Sequence, residues 1–180
     1  MTLAVSSEGS QSNRIEVLVD ESIITNYDVV QRMKINAILK RAEIDENNYN
    51  QIITAVIDDL IVEILKNKKI DEYNVSFGKD EFKDFEKRFF LSVDYDKEEL
   101  KSIFSINNIN YKYLVNYIEI ELKWQKLIYG LYSRVTSVTE QEVIDFMNKN
   151  PNIGEEIANE IILEKQLDLK SKKLIKDLRD

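Results

Sequence analysis

The side chains that most often perform catalysis are absent from this sequence or dispersed along it. There is no histidine and no cysteine, which removes the commonest general base, the commonest zinc ligand and any thiol site. The acidic residues are scattered along helix faces, and no Asp/Asn-rich calcium loop or glycine-rich phosphate loop is present. We therefore expect no enzymatic activity, no metal and no cofactor.

Aromatic side chains are the remaining groups with a defined binding chemistry. Tyrosine suits a reversible binding surface because its ring packs while its hydroxyl stays hydrated. Five aromatic residues fall off the main core stripes, three of them on a second stripe of the helix over 111–134, and we take them as candidate client-binding residues: Phe90, Tyr95, Tyr111, Tyr129 and Tyr132. The alternative for each of them is a position in the core or at its rim, covered by the last helix.

A predicted helix over 111–134 positions three of these five residues. Its first apolar stripe comprises Tyr113, Tyr117, Ile120, Trp124, Leu127 and Leu131. Its second comprises Tyr111, Leu114, Ile118, Leu122, Tyr129 and Tyr132. A surface helix needs one apolar face, so the second stripe must be covered by another element or be left for a partner. We expect this helix to keep more apolar surface than its own fold uses.

The other segments predict a mainly α chain of about six or seven helices with a short N-terminal β-hairpin. Residues 1–13 are rich in Ser, Gly and Gln and predict a disordered tail. Period-two alternation over 15–19, a turn and Ile23-Ile24 predict the hairpin. Capping signals and apolar periodicity predict helices over 26–41, 51–69, 79–90, 96–106 and 111–134, one after Thr139, and one over 155–179.

Composition limits the class of protein. The length of 180 residues favours one domain, and four Gly with one Pro leave little material for turns and long loops. The formal net charge of −8 argues against a nucleic-acid partner. No run of about 18 apolar residues predicts a membrane-spanning helix.

Several of these segments, in this order, resemble a known family. Val17-x-Val19, a turn, Ile24-Thr25-x-x-Asp28-Val29 and Arg32 are similar to the opening hairpin and first helix of the SurA family of periplasmic chaperones. The helix over 51–69 with Asn74-Val75-Ser76, the helix over 111–134 with its exit to Glu142, and the segment 167–179 are similar to later parts of that family. The resemblance implies a SurA N-terminal-like helical domain over 14–150 and a C-terminal helix in 151–180 that packs back on it.

Two departures from the family pattern shape the expected activity. Family members carry parvulin-type prolyl isomerase domains near the place where Pro151 stands, and parvulin sites normally contain histidines. This chain has neither room for such a domain nor histidine, so we predict no prolyl isomerase activity. The family also ends in a strand that pairs with the hairpin, whereas the present sequence stops at Asp180 in a helical pattern.

The resemblance implies an ATP-independent holdase in the periplasm. It would bind unfolded or aromatic-rich polypeptides, such as outer-membrane protein precursors, through an exposed apolar and aromatic surface. The alternative is a helical interaction module or adaptor with one fixed partner, including a homodimer that exchanges its last helix. A foldase fragment of a Gram-positive lipoprotein is less favoured, because no lipid-attachment cysteine is present.

Overall fold

The computed structural model describes residues 15–19 and 21–179. In this part of the chain the fold is 73% helical, with seven helices and a two-stranded antiparallel hairpin, so the predicted fold class is confirmed. The elements are β1 (Ile15–Val19), β2 (Ser22–Thr25), α1 (Asn26–Lys40), α2 (Tyr49–Glu72), α3 (Lys79–Val93), α4 (Lys97–Ile106), α5 (Tyr111–Tyr132), α6 (Glu140–Lys149) and α7 (Glu155–Asp177). The tail predicted over 1–13 lies outside the described residues.

The chain forms two compact units, Met1–Leu60 and Ile61–Asp180. The hairpin, α1 and the first half of α2 belong to the first unit, and the rest of α2 with α3 to α7 belongs to the second. The division predicted at residue 150 stays a prediction. In the second unit α7 packs against both α5 and α6.

The hairpin carries apolar residues on both of its faces. Val17 lies opposite Ile24 and Leu18 opposite Ile23. Ile24 is 2% exposed, whereas Leu18 and Ile23 are 65% and 51% exposed and form an outward cross-strand pair. A two-stranded hairpin is marginal in water by itself, and here β2 packs against α1.

The start of α1 is fixed by the capping box that the sequence predicts. The Thr25 amide donates to Asp28 Oδ2 at 2.9 Å, and the Asp28 amide donates to Thr25 Oγ1 at 3.3 Å. These bonds satisfy two backbone donors that have no partner inside the helix. They also fix the angle at which the chain passes from β2 into α1.

The apolar periodicity of α1 predicts a buried face made of Val29, Val30, Met33, Ala37 and Ile38. Val29 and Met33 are buried, but so are Gln31 and Arg32, whereas Val30, Ala37 and Ile38 are only half-buried. Apolar periodicity misses the two buried polar residues because it treats every long polar side chain as exposed. Both polar residues have interaction partners in the structure, so their burial does not leave their polar groups unsatisfied.

Helix α5 is covered along most of its length by other helices of its unit. α3, α4 and α7 pack against it. From its first stripe Trp124 and Leu127 are buried, and from its second stripe Leu114, Ile118 and Leu122 are buried. Of the two alternatives left open for the second stripe, the structure therefore shows that this chain covers most of it, and only Tyr129 of that stripe is exposed.

The centre of the second unit is a cluster that joins α2, α5 and α7. It comprises Ile70, Trp124, Leu127, Ile128 and Leu167. The Trp124 indole Nε1 donates to Ser171 Oγ at 2.8 Å, which satisfies the one polar atom of the tryptophan side chain. Lys66 and Glu121 add an ion pair of 2.6 Å between α2 and α5.

Two glutamates that cap helices also bind a neighbouring helix. Glu81 accepts from the Gly78 amide at the start of α3 and from Lys126 Nζ of α5 at 2.8 Å. Glu142 accepts from the Thr139 amide at 2.8 Å and from Gln166 Nε2 of α7 at 3.0 Å. The capping arrangement predicted at Thr139 is confirmed. Each carboxylate therefore stabilises the first turn of a helix and also the contact of that helix with a neighbouring one.

We expect Ser171→Ala to destabilise the fold, because the buried indole N–H would lose its acceptor. The loss should be about 1–3 kcal/mol, or a fall of several degrees in the melting temperature. Thermal and denaturant unfolding measure it. Ser92→Ala is the matched control, since its hydroxyl is exposed and donates only to the Phe89 carbonyl of its own helix. Equal stability of the two variants would contradict this role of Ser171.

The stability that Glu142 contributes should depend on pH. Hydrogen bonds from the Thr139 amide and hydroxyl hold the pKa of Glu142 below its usual 4.5. The ionised carboxylate therefore stabilises α6 at pH above about 4.5, and this contribution disappears as the pH falls through the lower folded-state value.

Glu142→Gln should accordingly lower the melting temperature at pH 7, and its difference from the wild type should shrink toward zero near pH ~3. Circular dichroism melts over that range measure the difference. Glu140→Gln, in the same exposed first turn, is the control. A difference that stays constant from pH 7 to pH ~3 would argue against the capping role.

Candidate functional site

The structure separates the five predicted client-binding residues into buried and accessible ones. Phe90 is buried, while Tyr95, Tyr111 and Tyr132 are half-buried. Tyr129 is 58% exposed. Tyr129 and Tyr132 lie one helical turn apart at the end of α5, whereas Phe90, Tyr95 and Tyr111 lie around the α3–α4 connection and the start of α5. The five therefore do not form a single surface.

Tyr129 and Tyr132 belong to a tyrosine patch that also contains Tyr73 at the end of α2. Lys69 links Tyr73 to Tyr132, since its Nζ lies 5.2 Å from the centre of the Tyr73 ring. The Tyr132 hydroxyl also lies near enough to act on the charge of Lys69. Tyr73 is 48% exposed. The patch thus presents ring surface and hydroxyl groups together at one end of α5.

The position of Lys69 within the patch is held by Glu72. The ammonium donates to both Glu72 carboxylate oxygens, at 2.9 Å and 2.7 Å. The pKa of Lys69 is raised above its usual value, chiefly by this hydrogen bond from its ammonium to Glu72. Tyr132 anchors the patch, because its ring packs against the cluster around Trp124.

A second group of aromatic side chains runs along α3, and we call it the phenylalanine row: Phe77, Phe82, Phe85 and Phe89. Phe77 stacks on Phe82 with ring centroids 5.5 Å apart. Phe89 meets Tyr117 of α5 edge to face at 6.3 Å. All four phenylalanines are half-buried. Apart from Phe90, no residue of α3 is fully buried. This helix therefore packs against α5 while its aromatic face stays partly accessible.

The sequence spacing predicts that Phe82, Phe85 and Phe89 lie on one face of α3. Phe77 lies just before the helix and outside that pattern. A usable signal was the spacing of Phe85 and Arg88, three residues apart on α3. In the structure the Arg88 guanidinium lies 5.6 Å from the Phe85 ring, and a cation resting on a ring marks a surface close to water.

Tyr111 has a structural role rather than an accessible one. Its ring lies 6.0 Å from Phe104 and 5.6 Å from the Lys101 ammonium. Its hydroxyl is buried and has no hydrogen-bond partner among the described residues. Burial, with added repulsion from Glu86 and Glu98, raises the pKa of Tyr111 to about 12.

Several carboxylates of the second unit form ion pairs between or within helices. Glu86 pairs with Lys97 at 2.7 Å, and Glu121 pairs with Lys66. Within residues 15–19 and 21–179, no three acidic side chains come together as a possible metal site. In the same residues no helix is long and apolar enough to cross a membrane.

Comparison with known proteins does not assign the chain to a family. No protein-family model matches it, and no curated protein matches it. The resemblance to the SurA family thus rests only on the residues and the order of segments quoted above.

Tyr111→Phe should stabilise the protein. Removing a buried hydroxyl that has no partner relieves a desolvation penalty of about 1–3 kcal/mol, while the ring keeps its contacts. Chemical denaturation measures the change in the free energy of unfolding. Tyr129→Phe is the control and should lie within about 0.5 kcal/mol of the wild type, because its hydroxyl is exposed to water. A destabilised Tyr111→Phe variant would mean that the hydroxyl has a partner.

Proposed function

We propose that this chain is an ATP-independent holdase, similar to the chaperone part of SurA, which binds unfolded polypeptides through the tyrosine patch. The observation that carries the proposal is the exposure of Tyr73 and Tyr129, 48% and 58%, beside a helix whose other apolar residues are mostly covered. The resemblance to SurA supports a periplasmic location and outer-membrane protein precursors as clients. Prolyl isomerase activity is not part of the proposal.

The size of the surface fits reversible binding. An apolar area of ~300 Å² contributes roughly 8 kcal/mol at ~25 cal/mol per Å². Association alone costs about 4–15 kcal/mol, and ordering an unfolded client costs more. The net affinity is weak, so a client can leave without nucleotide hydrolysis. Tyrosine also keeps the unoccupied surface hydrated through its hydroxyl, which limits self-association.

The test is suppression of aggregation of unrelated, chemically unfolded proteins in the absence of nucleotide, followed by light scattering. Tyr73→Ser with Tyr129→Ser should remove at least half of the suppression, because the exposed ring surface is lost. The melting temperature should change by no more than about 2 °C, since both side chains are largely exposed.

The matched control is Tyr49→Ser with Leu169→Ser. These residues have similar exposure, 43% and 59%, but lie outside the tyrosine patch. If both double variants suppress aggregation as well as the wild type, the patch is not the client site. Tight binding of one member of a panel of unfolded peptides, with no binding of the others, would favour the adaptor with a fixed partner.

A further inference from the structure

The phenylalanine row carries cations on its accessible rings. The Lys123 ammonium of α5 lies 5.7 Å from the Phe77 ring, and the Arg88 guanidinium lies 5.6 Å from the Phe85 ring. Neither cation has a carboxylate within ion-pair distance in the described part of the chain. Each is therefore held by a ring and by water, with its hydrogen-bonding capacity toward an anion still available.

The carboxylates nearest to the row already have partners. Glu81 binds Lys126 at 2.8 Å and Glu86 binds Lys97 at 2.7 Å. Arg88 of α3 and Lys123 of α5, the two cations that lie over rings of the row, are not part of these pairs.

These two cations lie over aromatic rings in a chain of net charge −8. A surface that offers rings beside unpaired cations complements a ligand that offers rings beside carboxylates. The ligand's rings would pack on the half-buried phenylalanines, and its carboxylates would form charge-assisted hydrogen bonds with Arg88 and Lys123. The overall negative charge argues against an anionic membrane or a nucleic acid as the occupant.

We propose that the phenylalanine row with Lys123 and Arg88 is a docking surface for polypeptide segments that carry both aromatic residues and aspartate or glutamate. The proposal rests on the proposed binding of unfolded polypeptides, but it concerns a different surface from the tyrosine patch. The row selects among segments by charge, whereas the tyrosine patch, whose cation is already paired, binds apolar surface with little regard to charge.

The experiment measures fluorescence anisotropy of three labelled peptides with the full chain. The peptides share the same Phe and Tyr positions and differ only in the residues between them, which are Asp, Asn or Lys. We expect the Asp peptide to bind about fivefold more tightly than the Asn peptide, the size expected for two partly exposed ion pairs. Raising the salt from about 50 to about 500 mM should remove this preference.

Lys123→Gln with Arg88→Gln should reduce the Asp-over-Asn preference to less than about twofold, while Asn-peptide binding stays unchanged. Lys83→Gln with Lys87→Gln is the matched control, since it removes the same charge from exposed positions. These lysines lie about 160° around α3 from Phe85, and their loss should leave the preference intact.

Two results would overturn the inference: equal binding of the Asp and Asn peptides, or a preference that survives in the Lys123/Arg88 variant. A third is binding of the chain to vesicles with about 30% anionic lipid that requires Lys123 and Arg88 and that the Asp peptide does not displace. Equal peptide binding combined with intact suppression of aggregation would remove this inference and leave the tyrosine-patch proposal standing.

Discussion

The apolar circumference of α5 is the constraint on which the second unit depends. A helix with apolar residues on two sides cannot be satisfied by one neighbour, so α3, α4 and α7 must all pack against it. Trp124 illustrates how α5 and α7 fit together. Its ring is buried in the central cluster, and its indole N–H donates to Ser171 of α7. The covering is specific as well as apolar, since a buried indole N–H without an acceptor would be destabilising.

Two glutamates of the second unit bond both within the start of a helix and to a neighbouring helix. Glu81 and Glu142 each satisfy a backbone amide at a helix start and bind a side chain of an adjacent helix. Local structure and tertiary contact are thereby coupled, because fraying of the first turn would also release the neighbouring helix. When the residues that start a helix also position it against its neighbour, local and tertiary preferences favour the same arrangement of helices.

The aromatic residues divide into those that complete the core and those that stay accessible. Phe90 and Phe104 are buried, whereas Tyr73 and Tyr129 remain exposed. The half-buried residues of the phenylalanine row lie between these extremes, with cations over the rings of Phe77 and Phe85. Accessible rings and basic side chains thus occur together in a protein whose net charge is negative.

The sequence by itself determined where the helices and strands of this protein lie along the chain, but not which face of each helix is buried. The capping residues Thr25, Thr139 and Asn110, together with the apolar periodicity, predicted the helix starts correctly, because capping and periodicity act within a few residues along the chain. Three outcomes depended on how many helices pack at each place. They are the covering of the second stripe of α5, the burial of Arg32 and the half-buried position of Phe82. Those outcomes arise from contacts between residues far apart in sequence, so only the tertiary structure decided them.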